Sequence, residues 1–527
     1  MRGANHPDLT NLLERVARLE VELSRTKDEL ALANAEIKRK NQIIAGLQHR
    51  LFGSSSEKLD PNQLELLFNE LIMGKPGPVD AAGDDLAKAK TRAASTRRTK
   101  QDRFPKNLKI IVEEVIIPEV VAADPDLYDE ICEEYHDELD VIKPQMCWRR
   151  KILKKFALKN DKSRPPVSAP APLASIPGTL IAAALAAQIA VDRFVDHLPY
   201  YRQSNRFDRL YGADIGRQTL NTWIHATARH LTPIGAAIRG EVRQAVELVI
   251  DETPHDYLCP GHGKTKRGYL WVFYDPVGRN SLFEWHAGRG HECLLDFLGY
   301  DPATKTISFT GTVQCDGYSA YRAIAALFGC ILLAGCLAHI RRKFVEAMPE
   351  KPELILPILL AIQQIYVIEK QLREGNVPPA CRELVRRTRS RAIADKLHEL
   401  IVEARTETLP HGKFGEALTY AINQWDKFLV CLQQGTLEVD TNLVENLIRP
   451  TKLGARNSMF FGSLEAGTNN ALFYTLMANC KSHGMDPEMY LTEVIKRLPH
   501  NATVEQAAEL TPARFAAALA AAAQEVA

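Results

Sequence analysis

Nowhere in the 527 residues do two cysteines stand at Cys-x-x-Cys spacing; the ten thiols are scattered. That pattern argues against both a disulfide framework and a simple zinc ribbon. Long apolar runs are scarce as well. The longest near-apolar one, Leu180 to Val191, contains Gln188 and is too short to span a bilayer. The stretch from Met1 to Arg15 lacks the apolar core and small-residue cleavage site of a secretory leader, so a cytoplasmic protein without membrane contact is expected. Charge of neither sign prevails, with 66 Lys and Arg against 65 Asp and Glu. Such a balance neither indicates nor excludes nucleic acid, because a DNA binder needs clustered cations rather than many. A chain of this length, 46% hydrophobic and 25% charged, divides into several globular units.

What is present is ordered along the chain. Leu9, Val16, Leu23, Leu30, Ile37, Ile44 and Leu51 recur every seven residues, and Leu12, Leu19, Ala33 and Leu47 fill a second seam. Residues 1–52 therefore read as a coiled coil, hence a homo-oligomer, expected to be a dimer; the alternative is one amphipathic helix packed on its own domain. A basic, linker-like stretch follows over 53–107, where Lys88, Lys90, Arg92, Arg97, Arg98, Lys100, Arg103 and Lys106 meet the single acid Asp102. Residues 108–160 alternate in places and suggest a small β-containing module, and 161–177 form a proline-rich linker. Residues 178–245 are helical. Within them a helix from Leu198, a turn at Tyr211 to Asp214 and a second helix from Ile215 fit a helix-turn-helix or an ordinary helical hairpin equally well. In the first reading Arg217, Gln218 and Asn221 face the DNA groove, and Leu220, Trp223 and Ile224 pack inward.

From Val246 the periodicity changes. Strands are expected at Val246 to Ile250, Tyr269 to Tyr274 and Ser281 to Trp285, then a short helix, a fourth strand over Gly311 to Cys315, a helix from Ser319 and a fifth strand over Cys330 to Ala334. A basic helix, Ala338 to Ala347, closes the series. That order is the order of a ribonuclease-H-like core, assigned to 246–348 and, after a helical insertion over 349–436, to 437–500; residues 501–527 form a tail. The expected class is thus multidomain α/β, with a coiled coil, a helical DNA-binding region and an α/β core carrying an all-helical insertion. In this order Asp251 and Asp316 fall at strand ends. A third acid, Glu445, follows on a helix whose Leu443, Val444, Leu447 and Ile448 make an apolar stripe. Three such carboxylates suffice to hold two Mg²⁺ ions, with Mn²⁺ as a substitute, for in-line displacement at phosphorus. In the insertion, Arg382, Arg386, Arg387, Arg389 and Arg391 read as a solvated helix surface, with contact as a group to DNA or a second protomer as the alternative.

Several blocks resemble the insertion sequence 66 family of transposases. They are Leu51-Phe52-Gly53-Ser54 through Lys58, Asp196-His197-Leu198-Pro199-Tyr200-Tyr201-Arg202-Gln203, Asp251-Glu252-Thr253-Pro254 with Gly263 to Lys266, and Cys315-Asp316-Gly317-Tyr318. Ala334 to Phe344 and Asp440 to Pro450, with Gly454 and Phe461-Gly462-Ser463, continue the likeness in order. The resemblance implies a transposase acting on the double-stranded terminal inverted repeats of its own element and on target DNA, in a family whose elements often encode small accessory proteins. It implies Asp251, Asp316 and Glu445 as the metal-binding triad, with His339 near the scissile phosphate or bracing the core beside Cys336. The basic residues of these blocks, Lys264, Lys266, Arg341, Arg342, Lys343, Arg449, Lys452 and Arg456, are candidates for DNA contact. There are departures. The module at 108–160 offers only Cys132, Cys147 and His136 where the family has cysteine pairs, so zinc is not expected. Asn446, Ala455 and Ser458 replace an Arg, a basic and an aromatic residue. A DNA-binding regulator without catalysis is the competing reading, and a nuclease for branched DNA a third.

Overall fold

The computed structural model describes residues 145–156, 167, 168, 170 and 172–526. The heptad segment, the basic stretch, Cys132 and His136 lie outside the described residues. Two compact units emerge: the smaller takes the described residues up to 173 together with 201–217, and the larger takes 174–200 and 218–526. In the smaller, β1 (Lys155–Phe156) pairs antiparallel with β2 (Val167–Ser168), and Cys147 is exposed.

Three helices precede the sheet in the chain; the second, from 201 on, belongs to the smaller unit. Alanine-rich α1 (Ala183–Phe194) buries Ala186, Ala187, Ile189, Ala190 and Phe194. Helix α2 (Tyr200–Tyr211) is followed by Gly212 in the left-handed region, where glycine carries no steric penalty. Helix α3 (Arg217–Arg243) begins at the predicted place but runs on for 27 residues. Leu220 and Ile224 are buried, Trp223 and Asn221 half-buried, and Arg217 and Gln218 exposed on the first turn.

The sheet follows as β3 (Glu247–Leu258), β4 (Thr265–Asp275) and β5 (Asn280–His286). Helix α4 (Glu292–Phe297) and a small hairpin, β6 (Tyr300–Asp301) with β7 (Thr306–Ile307), separate these from β8 (Gly311–Gln314). Then come α5 (Ser319–Phe328), β9 (Ile331–Ala334) and α6 (Leu337–Ala347). The five strands form one mixed sheet in the order β5-β4-β3-β8-β9, antiparallel on the β5 side and parallel from β3 to β9. Alternation explains the layering, because Leu270, Val272 and Tyr274 face one side of β4 while Trp271 and Phe273 face the other, all buried. The expected first strand was too short. It continues seven residues past Asp251, through a charged stretch containing Pro254, because β4 pairs with it throughout. Proline fits there because β8 accompanies β3 only as far as Val249, so one side of the strand is unpaired at Pro254.

The segment between α6 and the Glu445 helix is helical, as expected: α7 (Pro352–Glu374), α8 (Pro379–Val385), a π-helical turn (Arg386–Ser390), α9 (Arg391–Thr406) and α10 (Lys413–Cys431). Ile355, Leu359, Ile362, Leu397, Ile401, Leu418 and Phe428 join Leu337, Ile340 and Phe344 of α6 in one apolar core. Helix α7 is long and apolar enough to cross a membrane, but Ile355, Leu359, Ile362 and Ile365 are buried in that core. The arginine surface anticipated here needs correction. Arg386 is wholly buried and ion-paired with Glu369, and Arg382 is nearly so, between Glu369 and Glu438. Only Arg387 and Arg391 pair at the surface, with Glu383 and Asp395.

Helices α11 (Asn442–Ser458), α12 (Leu464–Ser482), α13 (Pro487–Arg497), α14 (Val504–Ala508) and α15 (Pro512–Val526) complete the unit. Helix α12 covers the outer edge of β5. Asn479 takes the Ser281 N–H and donates to the Ser281 carbonyl, and Thr475 takes the Phe283 N–H. These bonds satisfy an edge that would otherwise recruit another strand.

Candidate active site

Register sets the first two acids. Val249 of β3 is level with Gln314, the last residue of β8, in parallel pairing. Asp251 and Asp316 each stand two residues beyond this paired position, and Asp316 is close enough to act electrostatically on Asp251. The Asp316 carboxylate accepts the Tyr318 N–H at 2.8 Å, which holds the turn into α5. Gly317 permits this turn to press against α10, since a Cβ there would meet the Tyr420 ring at 2.9 Å and Gln424 at 3.1 Å.

The third acid arrives through a relay of hydrogen bonds. Buried Gln314 donates to the carbonyls of Gly335 (3.2 Å) and Glu438 (2.8 Å), tying the end of β8 to the segment before α11. The Leu337 N–H donates to Val439 O, and both the Thr441 N–H and hydroxyl donate to Cys336 Sγ at 3.3 Å. Cys336 and Thr441 are the N-caps of α6 and α11, so these two helices start side by side. Asp440 fastens the entry by accepting from the Asn442 N–H and amide. Glu445, one turn in, thereby faces Arg342 of α6, whose guanidinium donates to both its oxygens at 3.1 and 3.3 Å. The buried stripe of α11 is Val444, Ile448 and Thr451; Leu443, expected within it, is exposed.

The electrostatics report crowding. Burial, reinforced by Glu252, Asp316 and Glu445, pushes Asp251 up to about 7. Glu252 points to the opposite face of β3. There it is buried, raised by that burial, and held by Arg289 and by the Tyr321 hydroxyl at 3.0 Å. His339 is held below its ordinary range by burial and by Arg342, against the pull of Asp316 and Glu445, and its Nδ1 has no hydrogen-bond partner. A cluster of hard carboxylate oxygens around Asp251 fits a divalent cation in its chemistry. As they stand, no three His, Cys, Asp or Glu side chains among the described residues are close enough to hold one ion. Glu445 is turned to Arg342 instead.

Comparison with known proteins now decides the family. Residues 178–469, more than half of the chain, match the family model described as "Transposase IS66 family". The chain belongs to that family. Residues 475–513 match its "IS66 C-terminal element", and residues 41–112 match "Transposase C of IS166 homeodomain", a homeodomain-like region. Among relatives, the uncharacterized protein y4qI of Sinorhizobium fredii is 29% identical over 95% of this chain and 93% of its own length. The uncharacterized proteins y4jD and y4hP of the same organism are 28% and 25% identical over 89% and 86% of this chain, and 93% and 85% of theirs.

Across this IS66 chain the basic candidates are dispersed. Lys264 and Lys266 are exposed at the far end of the β3–β4 hairpin. Arg341, Arg342 and Lys343 lie on α6, and Arg342 is occupied by Glu445. Arg449 and Arg456 are exposed on α11, and Lys452 donates to Pro254 O at 2.9 Å. Cys259 and His262 share a backbone hydrogen bond in a tight turn, His262 N–H to Cys259 O. Sequence reasoning missed three residues around the acids: Glu252, Arg289 and Tyr321. Only Glu252, adjoining Asp251, carried a signal.

Proposed function

We propose that this IS66 chain is a DNA transposase that cuts and joins the ends of its own element, with Asp251, Asp316 and Glu445 as its metal-binding acids. The approach of Asp316 to Asp251, each just past the parallel β3–β8 pairing, carries the reading. The strand order β5-β4-β3-β8-β9 supports a ribonuclease-H-like core, and the crowding of negative charge around Asp251 supports a cation as the missing partner. Bound Mg²⁺ or Mn²⁺ would supply an activated hydroxyl and neutralise the leaving oxygen.

The chain's own residues do the rest. His339, held towards its neutral form near Asp316 and Glu445, would donate a hydrogen bond to a phosphate oxygen. Arg342 pairs with Glu445 and would compete with a bound cation for it. The Glu252–Arg289–Tyr321 cluster stiffens β3 from the opposite face. Arg217, Gln218 and Asn221, with Lys264, Lys266, Arg341, Lys343, Arg449, Lys452 and Arg456, serve duplex binding. Dimerisation through residues 1–52 would bring two ends together, in the cytoplasm, with any accessory proteins of the element.

The test uses purified full-length chain, Mg²⁺ and duplexes tiled across the DNA flanking its gene. Wild-type protein cuts at the element end, and Asp251→Asn, Asp316→Asn and Glu445→Gln each bind without cutting. The Arg342–Glu445 pair favours a second reading, a DNA-binding regulator; binding without cutting by the wild type, in Mg²⁺ and Mn²⁺ alike, would establish it in place of the first.

A further inference from the structure

At the end of α11 the chain makes a turn that large side chains rarely occupy. Met459 has φ 62° and ψ −52°, and the Phe460 N–H donates to Ser458 O at 2.7 Å. This is a γ-turn of the strained hand, uncommon and unfavourable for the backbone. Packing of the central side chain does nothing to offset that strain, since Met459 is 73% exposed. Both flanks are nonetheless held. The Met459 N–H donates to Ala455 O at 2.6 Å, and Ser458 Oγ accepts from Arg193 at 2.5 Å. Beyond the turn, Phe461 exchanges backbone hydrogen bonds of 2.9 Å with Asp256 and Leu258 of β3 and stacks on His255. A rigid mount therefore offers one slender apolar side chain to solvent.

The helix behind it is basic on one face. Glu445, Arg449, Lys452 and Arg456 follow at spacings of four, three and four, which is a single stripe. At 1.5 Å per residue the stripe runs about 16 Å from Glu445 to Arg456, the length of roughly five base-pair steps of duplex. The proposed catalytic acid stands at one end and Met459 just beyond the other. Cations along a line with an apolar tip at its end are the features by which proteins hold a DNA backbone and pry apart a base step.

We propose that α11 lies along duplex DNA, its basic stripe on the phosphates, and that Met459, about 21 Å along the axis from Glu445, wedges into a base step about six pairs from the site of cutting. This rests on the reading of the chain as a DNA-cutting enzyme. The unstacked step kinks the duplex at that distance from the scissile bond and fixes how far from the element end the cut falls.

The test places 2-aminopurine, which brightens when unstacked, at successive positions of the duplexes flanking the gene, with EDTA to prevent cutting. Full-length wild type and Met459→Leu bind and raise fluorescence at one step; Met459→Ala binds the same duplexes with the rise lost. Binding with no rise, or an equal rise from Met459→Ala, overturns the wedge and leaves the enzyme reading standing. A change of mass in Met459→Ala by light scattering overturns it in favour of a contact between copies of the chain. Failure of the wild type to bind any duplex removes the enzyme reading and the wedge together.

Discussion

Replacing Arg386 with Met tests how the helical insertion supports the Glu445 helix. The guanidinium is wholly buried and donates five hydrogen bonds. Nε and one Nη reach the two oxygens of Glu369 at 2.8 and 2.6 Å, and the other Nη reaches the carbonyls of Cys431, Gln434 and Leu437 at 3.2, 2.5 and 2.6 Å. Those carbonyls belong to the segment that leaves α10 and enters α11. Removing one member of a buried ion pair costs about 3–5 kcal/mol, because the remaining charge is left without compensation. Orphaned acceptors add about 1–3 kcal/mol where water cannot reach them. Arg382, 3.5 Å from Glu369, offsets part of the loss, so about 3–5 kcal/mol is expected in total. The assay is labelling of the buried Cys431 thiol against urea, with mass spectrometry to identify the site, since Cys431 is exposed only when this segment opens. Arg386→Met moves protection of Cys431 to markedly lower urea. Arg386→Met with Glu369→Met restores the part due to the stranded carboxylate but not the part due to the carbonyls. A single variant within about 1 kcal/mol of wild type, the size of an exposed ion pair, would refute the reasoning.

Two further outcomes follow from the same geometry. An exposed ion pair is worth at most about 1 kcal/mol, so freeing Glu445 by Arg342→Gln tightens Mg²⁺ binding by up to about fivefold in calorimetric titration; unchanged or weaker binding would show that Arg342 does not compete with the metal. His255, buried against Phe461 and held down at about 4 by that burial and by Lys452, takes up its proton far more readily when the chain unfolds. Its folded value lies below the unfolded one, so its contribution is intact above about pH 6.5 and is lost as pH falls towards 4, by about 3 kcal/mol. His255→Phe should flatten the fall in melting temperature across that window, and parallel curves for the two proteins would count against the assignment.

Much of the fold was legible because apolar periodicity and turn residues agreed along the chain. The strands around Tyr269 to Tyr274 and Gly311 to Gln314, and the helix after Cys336, stand where alternation and apolar spacing placed them. Beyond Asp251 the periodicity failed. Pairing with β4 keeps Asp251-Glu252-Thr253-Pro254-His255-Asp256 extended, and no local signal betrays a partner that comes later in the chain. Arg386 misled for a related reason. A spacing of four identifies a shared helix face but not whether it meets water, and the buried acid that receives this arginine lies 17 residues earlier, on another helix. At the candidate site the three acids could be named from the order of elements. What could not be seen was the clasp between Cys336 and Thr441 that sets two helices side by side, or the turning of Glu445 to Arg342.

The most direct test of the central claim replaces a non-bridging oxygen of the scissile phosphate with sulfur, in a duplex carrying the element end. If Asp251, Asp316 and Glu445 hold metal against that phosphate, cutting in Mg²⁺ is suppressed and softer Mn²⁺ restores it. Cutting that persists in EDTA, or a loss with sulfur that Mn²⁺ does not relieve, would contradict the account.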